Sequence, residues 1–123
     1  MAKVIDIYNY LDELAPFSTQ EGWDNSGMLV GDFEKEINCV AVVLDITPAA
    51  ITTAKDLGAG LIVSHHPVIF KPQKCFKTGN IAYELAVSGI SAICTHTCLD
   101  NASGGVNDVL AEKIGLTNVF PMI

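Results

Sequence analysis

The first sixteen residues, MAKVIDIYNYLDELAP, place Val4, Ile7, Tyr8, Leu11 and Leu14 at helical spacing with acidic residues between them. That repeat predicts an amphipathic helix over 3–15, which ends before Pro16. The stretch that follows, FSTQEGWDNSGMLVGD, is mostly polar and reads as a loop. Residues 39–44, CVAVVL, are unbroken and apolar, the pattern of a strand buried on both faces. Thr47 before Pro48 is a helix-start signal: a side-chain cap, then a proline where no N–H is needed. This helix runs to about residue 57, and Gly58 and Gly60 close it. Residues 61–64, LIVS, predict a second short strand. A helix over about 80–88 stops at Gly89, and residues 90–94, ISAIC, form a third strand. Ser103 and the glycine pair open a last helix over about 105–114, which Gly115 ends.

Strands and helices alternate, and the strands are aliphatic throughout. The predicted fold is therefore α/β: a layered sheet of aliphatic strands covered by helices. A chain of 123 residues makes one such domain. Ligands of these sheets bind beyond the carboxyl ends of the strands. Three predicted strand ends carry polar chemistry: Asp45 after CVAVVL, His65 and His66 after LIVS, and His96 with Asp100 after ISAIC. All three histidines of the chain fall in two of these segments.

Adjacent strand residues point to opposite faces, so His65 and His66 suit two neighbouring ions better than one shared ion. Pro67 confines His66 to an extended backbone and so fixes the direction of its ring. Two-ion hydrolytic sites hold their ions about 3.5–4 Å apart and need a bridging carboxylate, for which Asp100 is the candidate. His96, four residues earlier, is a further ligand or an outer acid/base group. Such ligands suit zinc, iron, manganese or nickel without choosing among them. The competing reading makes the histidine pair a satisfied polar turn and Asp100-Asn101 a loop stop.

Other residues are also open to two readings. Cys94, His96 and Cys98 share one face if the strand continues, and would then hold a single zinc. Cys98 beside His96 is a weaker candidate nucleophile. Otherwise Cys39, Cys94 and Cys98 are buried thiols. SGGVND is either an anion-binding turn or a glycine cap that permits tight packing. Trp23 is expected to pack, and Asp24 with Asn25 to form a turn through side-chain to backbone bonds.

Charge narrows the function classes. Seven Lys and Arg against fourteen Asp and Glu give a net charge of −7, so no basic stripe exists for a nucleic-acid backbone. The same balance argues against an anionic membrane surface. A small anionic substrate stays compatible, because a bound cation inverts the local field. The N-terminus lacks the pattern of a secretory signal, and CVAVVL, at six residues, is far too short to span a membrane. The expectation is a soluble, cytoplasmic protein with its four cysteines reduced.

Three stretches then carry a resemblance: WDNSGMLVGD at 23–32, VVLDITPAAITTAKDLGAGLIVSHHPVIF at 42–70 and ISAICTHTCLDNASGGVNDVLAEKIGL at 90–116. Together they resemble the NIF-three-like family of dinuclear-metal proteins, which carries the label GTP cyclohydrolase 1 type 2 homolog. The resemblance implies metal ligands at His65, His66 and Asp100, the last bridging both ions, with His96 close by. It also implies a cytoplasmic protein that assembles with itself into rings, typically hexamers, whose sites face an inner cavity. Where the family has asparagine in HTNLD, this chain has Cys98. Family members continue into a second half that supplies a late His and Glu, whereas this chain ends at residue 123 and corresponds to the N-terminal half. His65, His66, Asp100 and at most His96 are few ligands for two ions, so weak or partial occupancy is expected. Two functions follow: a metal-dependent hydrolase of a nucleotide-like small anion with His96 as proton shuttle, or a non-catalytic metal-binding or regulatory interaction module. Nothing in the sequence reads a guanine.

Overall fold

The computed structural model describes residues 1–121. The order is β1 (Ala2–Lys3), α1 (Val4–Leu14), a 3-10 turn (Phe17–Thr19), β2 (Gly27–Val30), β3 (Glu36–Ile37), β4 (Val40–Val43), α2 (Pro48–Asp56), β5 (Leu61–Ser64), α3 (Ile81–Val87), β6 (Ser91–Cys94), α4 (His96–Asn101) and α5 (Val106–Lys113). Four strands form a mixed sheet in the order β2-β6-β5-β4, and β1 pairs with β3 in a separate ribbon. β4, β5 and β6 run parallel, while β2 runs antiparallel to β6. The α/β fold with helices covering a layered sheet is thus established. No helix among the described residues is long and apolar enough to cross a membrane.

The pleat divides the core into two layers. Leu61, Val63 and Ile93 point to one face and pack with Val4, Phe17, Ile37 and Cys98; Ile7, Tyr8 and Leu11 of α1 close that side. Ile62 and Ala92 point to the other face, against Ile51 and Ala54 of α2 and Leu85 of α3. Helix starts follow the sequence signals where the cap is local. Thr47 Oγ accepts from the Ala50 N–H at 3.1 Å, and Asn80 Oδ1 from the Tyr83 N–H at 3.0 Å.

Six expectations need correction. GMLV, read as loop, is β2: a short apolar run between two glycines pairs with β6 at Gly27↔Cys94 and Met28↔Ile93. Residues after Cys94 do not continue the strand, because α4 begins at His96. Leu14 lies on the outer side of α1 and is 52% exposed. The strand in CVAVVL is not buried on both faces: β4 lies at the sheet edge, with Val42 and Leu44 exposed at 78% and 62%, and Cys39 just ahead of it is half-buried rather than buried. The last helix starts from Gly105 rather than Ser103 and has no side-chain cap. Gly105 does serve tight packing: a Cβ there would overlap the Leu99 carbonyl, so only glycine lets α5 follow α4 this closely. Val109 and Leu110 of α5 are nevertheless exposed, at 47% and 57%.

Candidate metal centre

Strand register brings the candidate residues to one edge. Val43 pairs with Ser64, Ser64 with Cys94, and Cys94 with Gly27, so three strands end and one begins on a common line. Beyond that line lie Asp45 after β4, His65 and His66 after β5, and His96 at the start of α4. Because β2 is antiparallel, the residues preceding it, Asp24 among them, sit at the same edge.

The backbone of the histidine pair is held on several sides. The His65 N–H donates to Val43 O at 3.3 Å and the His66 N–H to Leu44 O at 3.0 Å. Cys94 Sγ donates to the His65 carbonyl at 2.9 Å, and Ser64 Oγ to the His66 carbonyl at 2.8 Å. Burial pushes the Cys94 thiol up to about 12, so it remains protonated and keeps that bond near neutral pH.

The three imidazoles converge. Ring centroids are 5.0 Å apart for His65–His66, 5.3 Å for His65–His96 and 5.7 Å for His66–His96. One nitrogen from each ring lies within 4.8 Å of one from each of the others, the one such group of metal-ligating side chains found among the described residues. Each ring also meets a carboxylate: His65 Nε2 is 2.9 Å from Asp100 Oδ1, His66 Nδ1 is 2.6 Å from Asp45 Oδ1, and His96 Nδ1 is 2.9 Å from Asp24 Oδ1. His65 Nδ1 is buried with no hydrogen-bond partner. The structure therefore brings His65, His66, His96 and Asp100 together. Cys94 and Cys98 stand outside the group: on a helix, positions 96 and 98 no longer share a face, and Cys98 is fully buried in the core.

Asp24 is the residue that sequence reasoning missed. Its side chain is fully shielded from solvent. It accepts from the Asn25 N–H at 2.6 Å, the Thr97 N–H at 3.0 Å, Ser26 Oγ at 3.1 Å and Thr97 Oγ. Burial alone would raise its pKa, but the bonds from Thr97, His96 and Asn25 outweigh it and hold the carboxyl well below the usual carboxylate range. The expected turn bond to Asn25 exists; the larger role, toward His96 and Thr97, was not visible. Trp23 does not pack inside: it is 62% exposed, with its ring edge-on to Phe70 and His96 at 6.1 and 6.3 Å.

Acid titration of stability checks this reading of Asp24. A carboxyl whose folded pKa lies below its ordinary value of 3.8 stabilises the fold fully above that value. The contribution is lost as pH falls from there toward the lower folded value. In urea melts, the gap between wild type and Asp24→Asn is expected to narrow steadily below about pH 4. A gap that stays constant down to about pH 2 would contradict it.

The class these features define is an α/β protein with an imidazole–carboxylate cluster at the carboxyl edge of its sheet. The family model described as Duf34/NIF3 (NGG1p interacting factor 3) matches residues 2–122, and the chain belongs to that family. Among curated relatives, it is 38% identical over 117 residues to a GTP cyclohydrolase 1 type 2 homolog of Clostridium perfringens, covering 92% of this chain and 45% of that protein. It is 41% identical over 120 residues to the protein of the same name from Staphylococcus aureus, covering 95% of this chain and 33% of that one. Among solved structures, Staphylococcus aureus protein SA1388 aligns with a TM-score of 0.90 at 40% identity, over 95% of this chain and 34% of that one. Reduced HcgD from Methanocaldococcus jannaschii aligns with a TM-score of 0.88 at 33% identity, over 98% of this chain and 50% of that one. The chain thus spans less than half the length of these curated relatives.

Proposed function

We propose that the chain holds a divalent-metal centre at the carboxyl edge of its sheet, and that this centre hydrolyses a nucleotide-like small anionic substrate. The observation that carries the metal reading is the convergence of His65, His66 and His96, with Asp100 against His65. The donor set fits such an ion, since imidazole and carboxylate together suit zinc, iron, manganese or nickel. Two donors each about 2.1 Å from an ion and about 90° apart stand about 3 Å from each other. His65 and Asp100 have that spacing, at 2.9 Å.

His65, His66 and Asp100 would hold the ions, Asp100 as the shared carboxylate. Bound divalent ions supply Lewis acidity, which turns water into a nucleophile near neutral pH and stabilises developing negative charge. His96 lies beside them with Nδ1 engaged by Asp24, which leaves Nε2 either as a further ligand to an ion or as the group that accepts and returns a proton. With a chain charge of −7, attraction for an anion comes from the ions rather than from basic side chains. The hydrolase reading draws on the position of the cluster, where ligands of open α/β sheets bind, and on the name of the curated relatives. Assembly with further copies of the chain belongs to the same proposal, and the exposed Val109 and Leu110 of α5 support it.

Ion-stripped protein is to be reloaded with zinc, iron, manganese or nickel and assayed against nucleotide, phosphoester and amide substrates. Turnover that requires the ion and disappears in His65→Ala is the expected result. Bound metal without turnover on any of these substrates would favour the second reading, a non-catalytic metal-binding or interaction module.

A further inference from the structure

We propose that Asp24 is the positioning residue of this centre: it fixes His96 as the Nδ1–H tautomer and thereby presents an unprotonated Nε2 to the ions held by His65 and His66. The inference rests on the metal reading above and extends it to a residue with no ligand role of its own.

Three observations carry it. First, the nitrogen that faces Asp24 is Nδ1, 2.9 Å from Oδ1. Both oxygens of Asp24 already accept from N–H or hydroxyl donors, so toward the ring Asp24 acts as an acceptor; in the neutral imidazole Nδ1 then carries the proton and Nε2 the lone pair. Second, Asp24 is itself immobile. Its side chain is fully shielded, and both oxygens are engaged: Oδ1 by the Asn25 N–H, Oδ2 by Ser26 Oγ and by the N–H and hydroxyl of Thr97. Third, Thr97 adjoins His96 on α4, and its hydroxyl in turn accepts from the Glu21 N–H at 3.0 Å. The segment that carries Asp24 is therefore stitched to the helix that carries His96 at several points. Neighbouring His66 lacks this arrangement, since its partner Asp45 is 55% exposed. A ligating imidazole held from behind by a carboxylate is more basic and better oriented than a free one.

Asp24→Asn separates charge from shape. The amide oxygen belongs at the Oδ2 position, where three donors converge. The amide NH2 then faces His96 Nδ1, which can only accept. The proton moves to Nε2 and blocks the lone pair that an ion needs, the tautomer error that an aspartate-to-asparagine change produces in serine-protease triads.

Long-range 1H–15N spectra of metal-free protein at about pH 8 read the tautomer directly. The expected result is Nδ1–H for His96 in wild type and Nε2–H in Asp24→Asn, with zinc affinity of the variant lower by about 10–100-fold. Asp45→Asn, at the exposed pair, is expected to leave the His96 tautomer unchanged. A wild-type His96 in the Nε2–H form overturns the proposal without recourse to any variant, so poor folding of Asp24→Asn does not shelter it. A folded Asp24→Asn protein that keeps the wild-type tautomer, or the wild-type zinc affinity, overturns it as well. If wild type takes up no zinc, the metal reading falls, while the spectra still decide whether Asp24 sets the tautomer.

Discussion

In His65→Ala protein, zinc affinity is expected to fall by more than the roughly 10–100-fold that loss of an outer partner causes. His65 is the hinge of the cluster: its ring stands 5.0 and 5.3 Å from the other two imidazoles, and its Nε2 alone meets Asp100. Truncation removes one donor and leaves the carboxylate without its partner. Folding should suffer little, because the same change deletes the orphaned Nδ1 and its desolvation cost. The metal-free variant is therefore expected to melt within about 1–2 kcal/mol of wild type. Added zinc should no longer stabilise it, whereas an ion at about a hundred times its Kd adds about 2.7 kcal/mol to a protein that binds it. Competition titration with a zinc chelator and urea melts with and without zinc measure both effects. Undiminished affinity would place the ion elsewhere.

Ile93→Ala is expected to cost about 4 kcal/mol, the largest stability loss of any substitution considered. Ile93 is fully buried in the sheet, with Met28 and Val63 as its ladder neighbours. It packs into the layer built by Val4, Phe17 and Leu61. Removing its outer carbons leaves a cavity that two strands and a helix cannot collapse into without breaking register. A domain stable by about 5–15 kcal/mol loses a large fraction of its margin. Ile93→Val should cost only about 1 kcal/mol. Urea midpoints at an unchanged slope give both values, and an alanine cost below about 1 kcal/mol would mean the core is not packed as described. The site should feel the change too, because the next residue, Cys94, holds the His65 carbonyl.

The parallel part of the sheet was legible because its strands read as plain aliphatic runs: LIVS and ISAIC are buried on both faces, and CVAVVL, at the sheet edge, is aliphatic although Val42 and Leu44 are exposed. Helices with local caps, such as the one after Thr47, were legible for the same kind of reason. Two elements were not. β2 is four residues long, antiparallel and set in a polar stretch, so only its bounding glycines hinted at a strand. Had GMLV been read as one, Asp24 would have fallen at the edge where the histidines collect. α4 was hidden because its cap is not local: the carboxylate that takes the Thr97 N–H comes from a residue 73 positions earlier. The histidines and Asp100 were conspicuous as rare chemistry beyond strand ends; Asp24 was not, because an aspartate in a polar loop has many ordinary explanations.

Crystals of the protein grown with zinc and measured on both sides of the zinc absorption edge give the most direct test. The predicted result is an anomalous peak about 2.0–2.1 Å from nitrogens of His65 and its neighbouring imidazoles, with Asp100 in reach of the same ion and incomplete occupancy. Zinc bound only at other residues, or no peak at that edge of the sheet in protein saturated with zinc, would contradict it.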